Sequence, residues 1–225
     1  MENYIFASIG SWHSNVYKRK IKALNGNWTY IDNPMQLTLK KVKEKNPKYI
    51  FFPHWRWKVP DEILNSYNCI CFHETNLPFG RGGSPIQNLI QRGYKDTVIC
   101  AIKMTSHLDA GPIYVKKKLS LEGSAQDIYA RCSRIVFSMI KEILEKEITP
   151  IPQRGKAVYF RRRKPAESRI TRSSDTLKKL YDFIRMLDAE GYPRAFIEFG
   201  PFRVEFTRAL LKKNILMAKV KIILK

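Results

Sequence analysis

Two short segments place side chains that can move a proton beside backbone that can approach a ligand. The first is His73-Glu74-Thr75-Asn76-Leu77-Pro78-Phe79-Gly80-Arg81-Gly82-Gly83-Ser84-Pro85-Ile86, and the second is His107-Leu108-Asp109-Ala110-Gly111-Pro112-Ile113. An imidazole and a carboxylate make a working acid–base pair, because the carboxylate orients the ring or accepts the proton that an attacking nucleophile sheds. Glycine lets a main chain come close to a bound molecule, and proline fixes the chain's course. A lone histidine after a buried strand is more often structural. The glycines, the later Asp-Ala-Gly-Pro and the strand-end position turn the reading of His73 and Asp109 toward catalysis.

Two further segments could hold an acceptor. Gly10-Ser11-Trp12-His13-Ser14 follows the first apolar run and, with Lys18, suits a sugar or phosphate near a helix N-terminus. Phe52-Pro53-His54-Trp55-Arg56-Trp57-Lys58 interleaves aromatic rings with cations, which suits stacking on a base and pairing with a diphosphate. Trp12, His13, Lys18, His54 and Arg56 are therefore candidate substrate contacts. The competing reading has Trp55 and Trp57 covering a sheet edge. His107 is either a polar wall of the site or an exposed loop residue, and Arg161-Arg162-Arg163-Lys164 reads as a solvated run. The four cysteines (Cys69, Cys71, Cys100, Cys132) show no pairing rhythm, which suits a reducing compartment. Cys69-Ile70-Cys71 is too tightly spaced for a usual zinc pair, and no metal is expected.

These residues need elements to carry them. Tyr4–Ile9, Lys48–Pro53 and Cys69–Phe72 are apolar runs that read as buried strands, and Trp28–Ile31 is a shorter one. Helical stretches are predicted over Asn15–Leu24, Pro34–Lys45, Pro60–Leu64 and Ser84–Arg92, the last with Ser84 as N-cap and Pro85 in its first turn. Buried strands alternating with helices imply an α/β, Rossmann-like, mostly parallel sheet covered on both faces, with ligands beyond the carboxyl ends of the strands, where His73 falls. Thr97–Met104 and Ile113–Leu119 are strands flanking the Asp109 loop. Ser124–Glu147 is a long helix with an apolar stripe through Ile128, Cys132, Ile135, Val136, Met139, Ile140 and Ile143. Thr149–Gly155 reads as a linker, dividing a catalytic domain (1–150) from a small C-terminal α+β subdomain (151–225). That subdomain is predicted to hold a strand at Ala157–Phe160, a helix at Ser174–Leu187 and strands at Ala195–Phe199, Phe202–Phe206 and Ile215–Leu224.

The 225 residues carry a formal net charge of +21. Residues 1–150 hold 22 basic and 13 acidic groups, and residues 151–225 hold 19 and 7, so the last third is the more charge-dense. Such a surface attracts any polyanion without choosing among them. No basic, apolar leader and no run of about 18 apolar residues is present, so a soluble cytoplasmic protein without a membrane partner is expected. The apolar stretch Ile215–Leu224 could be an exposed edge, which makes a homodimer an expectation.

The pattern His-x-x-x-Leu-Pro-x-x-Arg-Gly-Gly-x-Pro-Ile at 73–86, followed by Leu-Asp-Ala-Gly-Pro-Ile at 108–113, resembles the N10-formyltetrahydrofolate-dependent formyltransferases. That family includes methionyl-tRNA, glycinamide ribonucleotide and nucleotide-sugar formyltransferases. Arg154-Gly155-x-Ala157-x-Tyr159-Phe160-x-Arg162-Arg163, Ile184-Arg185-x-Leu187 and Tyr192-Pro193-x-Ala195-Phe196 are similar to the segment that follows the catalytic domain in the tRNA and sugar branches. The resemblance implies N10-formyltetrahydrofolate as co-substrate, His73 and Asp109 as catalytic groups, and a pterin cradled by Thr75, Leu77, Pro78, Gly83, Met104 and His107. Arg81 is either a cofactor contact or a brace for the glycine-rich loop. The family's third group is an asparagine two residues before the histidine, and Cys71 stands there. Either backbone amides and His73 suffice, or Asn76 or another polar group reaches the same place. The wording of the motif resembles the sugar branch, so the expected acceptor is a nucleotide-linked amino sugar, such as a UDP-4-amino-4,6-dideoxy sugar of the pseudaminic acid route, with nucleic acid unlikely. The alternatives are a methionyl-tRNA formyltransferase, favoured by the charge but set against a short C-terminal segment, and a non-catalytic polyanion- or RNA-binding module.

Overall fold

Short runs of β-branched and aromatic residues, each followed by a polar helical stretch, cannot bury both faces alone, and they do so by lining up in one sheet. The computed structural model describes residues 1–225, in the order β1 (Asn3–Ala7), α1 (Ser11–Arg19), β2 (Asn27–Ile31), α2 (Leu39–Lys45), β3 (Tyr49–Pro53), α3 (Asp61–Ser66), β4 (Cys69–His73), β5 (Phe79–Gly82), α4 (Pro85–Gln91), β6 (Asp96–Lys103), β7 (Ile113–Ser120), α5 (Ala125–Lys146), β8 (Val158–Phe160), α6 (Leu177–Arg185), β9 (Ala195–Phe199), β10 (Phe202–Lys212) and β11 (Ile215–Leu224). Six strands form a sheet in the order β2-β1-β3-β4-β6-β7. β1 pairs in parallel with β2 and β3, and β3 with β4. The carboxyl ends of β1, β3 and β4 therefore emerge along one edge. β4 runs antiparallel to β6, with Cys71 opposite Ile102 and His73 opposite Cys100, so the sheet is mixed but mostly parallel, as expected.

Two compact units make up the chain, and neither is continuous. One holds residues 1–82, 97–119 and 130–159, the other 83–96, 120–129 and 160–225. In the first, Ile5, Ile50, Phe52, Ile63 and Cys69 belong to one buried apolar cluster, on which Trp55 and Met104 pack. The long helix α5 buries Ile128, Cys132, Val136, Met139, Ile140 and Ile143 of the expected stripe, and leaves Ile135 only half-buried. No helix is long and apolar enough to cross a membrane.

Some local expectations shift. The first helix begins at Ser11 and ends at Arg19, followed by a 3₁₀ turn at Ile21–Ala23, and the stretch from Pro34 divides into a 3₁₀ turn (Pro34–Gln36) and α2. Thr38 splits it by capping α2 itself, its hydroxyl accepting from Lys41 N at 3.2 Å. Ser84 precedes Pro85 but makes no side-chain cap, because its Oγ accepts from Arg163 N at 3.1 Å. Strand β5 was not expected, since Phe-Gly-Arg-Gly has no strand pattern; it joins β8 in a two-stranded ribbon.

The second unit is tied by a buried ion pair. Arg185 Nε donates to Asp182 Oδ1 at 2.6 Å, and its Nη1 donates to the carbonyls of Leu121 and Gly123. Both side chains are almost fully buried. Removing one member strands a buried charge and two carbonyls, so Arg185→Ala is expected to cost about 3–5 kcal/mol of stability, read as a lower denaturant midpoint, whereas Lys179→Ala on the exposed face of the same helix leaves the midpoint nearly unchanged.

Candidate active site

β4 delivers His73 to the edge of the sheet, where the ring is held from two sides. Nε2 lies 2.7 Å from Gly80 O. A carbonyl only accepts, so Nε2 carries a hydrogen and Nδ1 is the ring atom left to face the site. Asp109 Oδ2 stands 3.7 Å from Nδ1 and accepts from Gly82 N at 2.8 Å. The motif's two reactive residues, far apart in sequence, are thus neighbours.

The Asp109 loop is held tightly. Asp109 sits in the left-handed region at φ 50°, a conformation that costs on the order of 1–3 kcal/mol outside glycine. Gln153 Nε2 offsets it by donating to Asp109 O at 2.8 Å and Gly111 O at 2.9 Å. Gln153 Oε1 in turn accepts from Arg81 Nε and Nη2 at 3.2 and 2.8 Å. Gly111 is obligatory, since a Cβ there would lie 1.7 Å from Lys103 O. Gln153 lies in the stretch read as a linker, and no sequence signal singled it out; its role comes from two carbonyls some forty residues upstream in the chain.

A cavity of about 70 Å³ opens beside the pair, lined by Cys71, Met104, Thr105, His107, Asp109 and Gly111 among others. Cys71 occupies the place of the family's asparagine, and burial pushes its thiol well above the usual range, so it stays neutral. Glu74, beside His73, was not singled out; burial pushes its carboxyl up from the ordinary value. Asn76 does not turn into the cavity: it is exposed, and its Oδ1 accepts from Lys116 Nζ at 2.7 Å.

The other candidates fall in different places. Thr75 is buried, its hydroxyl 3.3 Å from Gly80 O, and Leu77 packs in a buried cluster with Cys100 and Ile102. Pro78 follows a cis peptide and its carbonyl accepts from Val158 N. Arg81 reaches Gln153 and lies 3.3 Å from Tyr159 Oη, the bracing arrangement. Gly83 N donates to Phe160 O, Met104 N donates to Cys69 O, and His107 is exposed. At the ends of β1 and β3, the Trp12 ring meets His54 edge-on at 5.6 Å, and His13 stacks on His54 at 6.1 Å. Arg56 is exposed and lies over Trp57, while Lys18 is exposed in the last turn of α1. Trp55 packs against Phe52 and Trp57.

Burial, with a smaller push from His54, takes His13 from its ordinary value down to about 3. The folded state thus binds this proton more weakly than the unfolded chain does. The neutral ring contributes fully above the unfolded value of about 6.5 and its contribution is lost as pH falls toward 3. Denaturation midpoints are therefore expected to drop below pH 6.5 with a slope reaching about 1.4 kcal/mol per pH unit from this group. His13→Gln flattens that slope; an unchanged profile in the variant rejects the assignment.

Comparison with known proteins follows the geometry. A family profile described as "Methionyl-tRNA formyltransferase, C-terminal domain" matches residues 165–223. The solved structure of a methionyl-tRNA formyltransferase from Clostridium thermocellum is 48% identical, with a TM-score of 0.96 over 100% of both chains. The methionyl-tRNA formyltransferase of Thermodesulfovibrio yellowstonii is 30% identical over 155 residues, 65% of this chain and 50% of that protein. That of Sulfurihydrogenibium sp. is 28% identical over 183 residues, covering 77% and 58%. The chain spans about half the length of the curated relatives it matches. A 4-N formyltransferase from Francisella tularensis shares only 16% identity at a TM-score of 0.68, which speaks for the fold alone. The expected nucleotide-sugar acceptor, and with it the expectation that nucleic acid is an unlikely partner, is overturned by these matches: the strong ones are to methionyl-tRNA enzymes, while the sugar enzymes are distant neighbours in fold. With 48% identity across its whole length, a mixed, mostly parallel sheet and the paired histidine and aspartate, the chain belongs to the formyltransferase family.

Proposed function

We propose that this protein transfers a formyl group from N10-formyltetrahydrofolate to the amine of a methionyl group carried by tRNA. The observation that carries the reading is His73 Nδ1 facing Asp109 Oδ2 across 3.7 Å, with Asp109 in the cavity wall, in a chain so similar to a methionyl-tRNA formyltransferase. The net charge of +21 suits an acceptor with a phosphate backbone. The cavity's lining suits the folate end of the donor in chemical kind, although about 70 Å³ takes in only part of it: Ile102, Met104 and Leu108 offer apolar wall, and Asp109 and the backbone of Thr105–Gly111 offer polar atoms.

The co-substrate supplies an activated formyl carbon; attack forms the new carbon–nitrogen bond and breaks the bond to N10, and the proton lost by the amine is balanced by the one that N10 gains as tetrahydrofolate leaves. Asp109 accepts the proton that the attacking amine loses. With a hydrogen on each ring nitrogen, His73 donates from Nδ1 to the charge that develops on the formyl oxygen, a position where a fixed donor contributes roughly 3–4 kcal/mol. The buried Cys71 thiol is a weak donor, so His73 carries most of that load. His54 and Arg56, after β3 on the same sheet edge as His73, face the acceptor end, while Trp12 and His13 are buried and back the His54 ring.

Release of tetrahydrofolate with charged initiator tRNA tests the reading. Asp109→Asn and His73→Asn are each expected to lower the rate by roughly 10²–10⁴-fold, with folding intact by circular dichroism. For the wild type, kcat/KM is expected to fall with added salt as phosphate contacts are screened. Absence of turnover with methionyl-tRNA in the wild type would sink the proposal.

A further inference from the structure

The three C-terminal strands form a sheet in the order β11-β10-β9 within the second unit, and its two faces differ in kind. In an antiparallel pair, residues directly opposite point to the same side. Ala195, Ile197 and Phe199 on β9 oppose Phe206, Val204 and Phe202 on β10, which oppose Val220, Ile222 and Leu224 on β11. All of these are apolar. The intervening positions form the other face and hold the charges: Arg203 pairs with Glu205 and lies over Phe196, while Glu198 pairs with Lys225 and Arg169.

The apolar face is open. Phe199 is 74% exposed, Leu224 70% and Ile222 65%, with Ile197, Phe202 and Val220 also exposed. Together these side chains present on the order of 700 Å², close to the roughly 800 Å² per partner of a standard stable interface. A single soluble chain rarely leaves so large an apolar patch uncovered.

We infer that this face is the contact surface of a homodimer, packed sheet on sheet against a second copy. The charge pattern supports that occupant. Two chains of +21 repel, and contact is feasible only where neither presents a cation; the register sends Arg203, Lys219 and Lys221 to the opposite side. The same lack of cations leaves a phosphate backbone nothing to pair with here. A flat, twisted antiparallel face is also the shape that packs on its own copy with strands nearly aligned. The surface differs from the edge-strand contact anticipated from Ile215–Leu224, because the face, rather than the open side of β11, carries the buried area.

Light scattering of the full chain across a broad concentration range tests this. The expected mass is twice 26.4 kDa, and Ile222→Lys and Phe199→Asp, both at exposed positions, are expected to give that single-chain mass with an unchanged circular dichroism spectrum. Lys213→Glu, in the β10–β11 turn, is expected to leave the dimer intact. A wild type that stays at 26.4 kDa overturns the inference, as does a dimer that survives Ile222→Lys. A monomer that co-sediments with neutral phosphatidylcholine vesicles would instead assign the face to lipid.

Discussion

The site depends on one constraint: Asp109 must hold its carboxylate beside His73 while its own backbone stays in the left-handed region. Three things keep it there. Gln153 satisfies the carbonyls on either side of Ala110, Gly82 N takes one carboxylate oxygen, and Gly111 lets the loop press against Lys103 O. Lys103 is fixed in turn, because β6 pairs with β4, the strand that ends in His73. The antiparallel pairing ends β6 beside Cys69, at the start of β4, so the loop that follows has to fold back along β4 to bring Asp109 to His73.

What could be read in the sequence, and what could not, follows from how local each signal is. The strands Tyr49–Pro53 and Cys69–His73 were legible because strands buried on both faces are apolar throughout. His73 and Asp109 were legible because glycine and proline mark where backbone meets ligand. Gln153 was not, since nothing about a glutamine between Pro152 and Arg154 says that it caps carbonyls at 109 and 111. Asn76 looked like a substitute for the missing asparagine only until Lys116, forty residues on, drew its side chain outward. Strand β5 hid behind two glycines. The acceptor was misread because the motif residues handle the formyl group, a chemistry common to every branch of the family, and therefore carry little information about the molecule that receives it.

The charge favours the tRNA acceptor proposed here over a nucleotide sugar. Basic groups outnumber acidic ones 41 to 20, so at least 21 cations have no carboxylate of their own. Such an excess costs stability through self-repulsion unless something anionic sits against it. An acceptor of one or two phosphates neutralises little of it, whereas a folded RNA meets many cations at once and releases a counterion at each.

The replacement of asparagine by Cys71 sharpens the demand on His73. A neutral, buried thiol stabilises a developing oxyanion poorly, and Nε2 is already committed to Gly80 O. In the proposed reaction one ring nitrogen, Nδ1, therefore serves both the carboxylate and the formyl oxygen. It can donate only when both nitrogens carry hydrogen, and the ring is then positive. In the proposed reaction Asp109 stands 3.7 Å away, where it can offset that charge and take the amine's proton. The carboxylate's two tasks are compatible because the hydrogen bond from Gly82 N occupies the same oxygen that faces His73, which leaves Oδ1 as the atom available to receive the amine's proton.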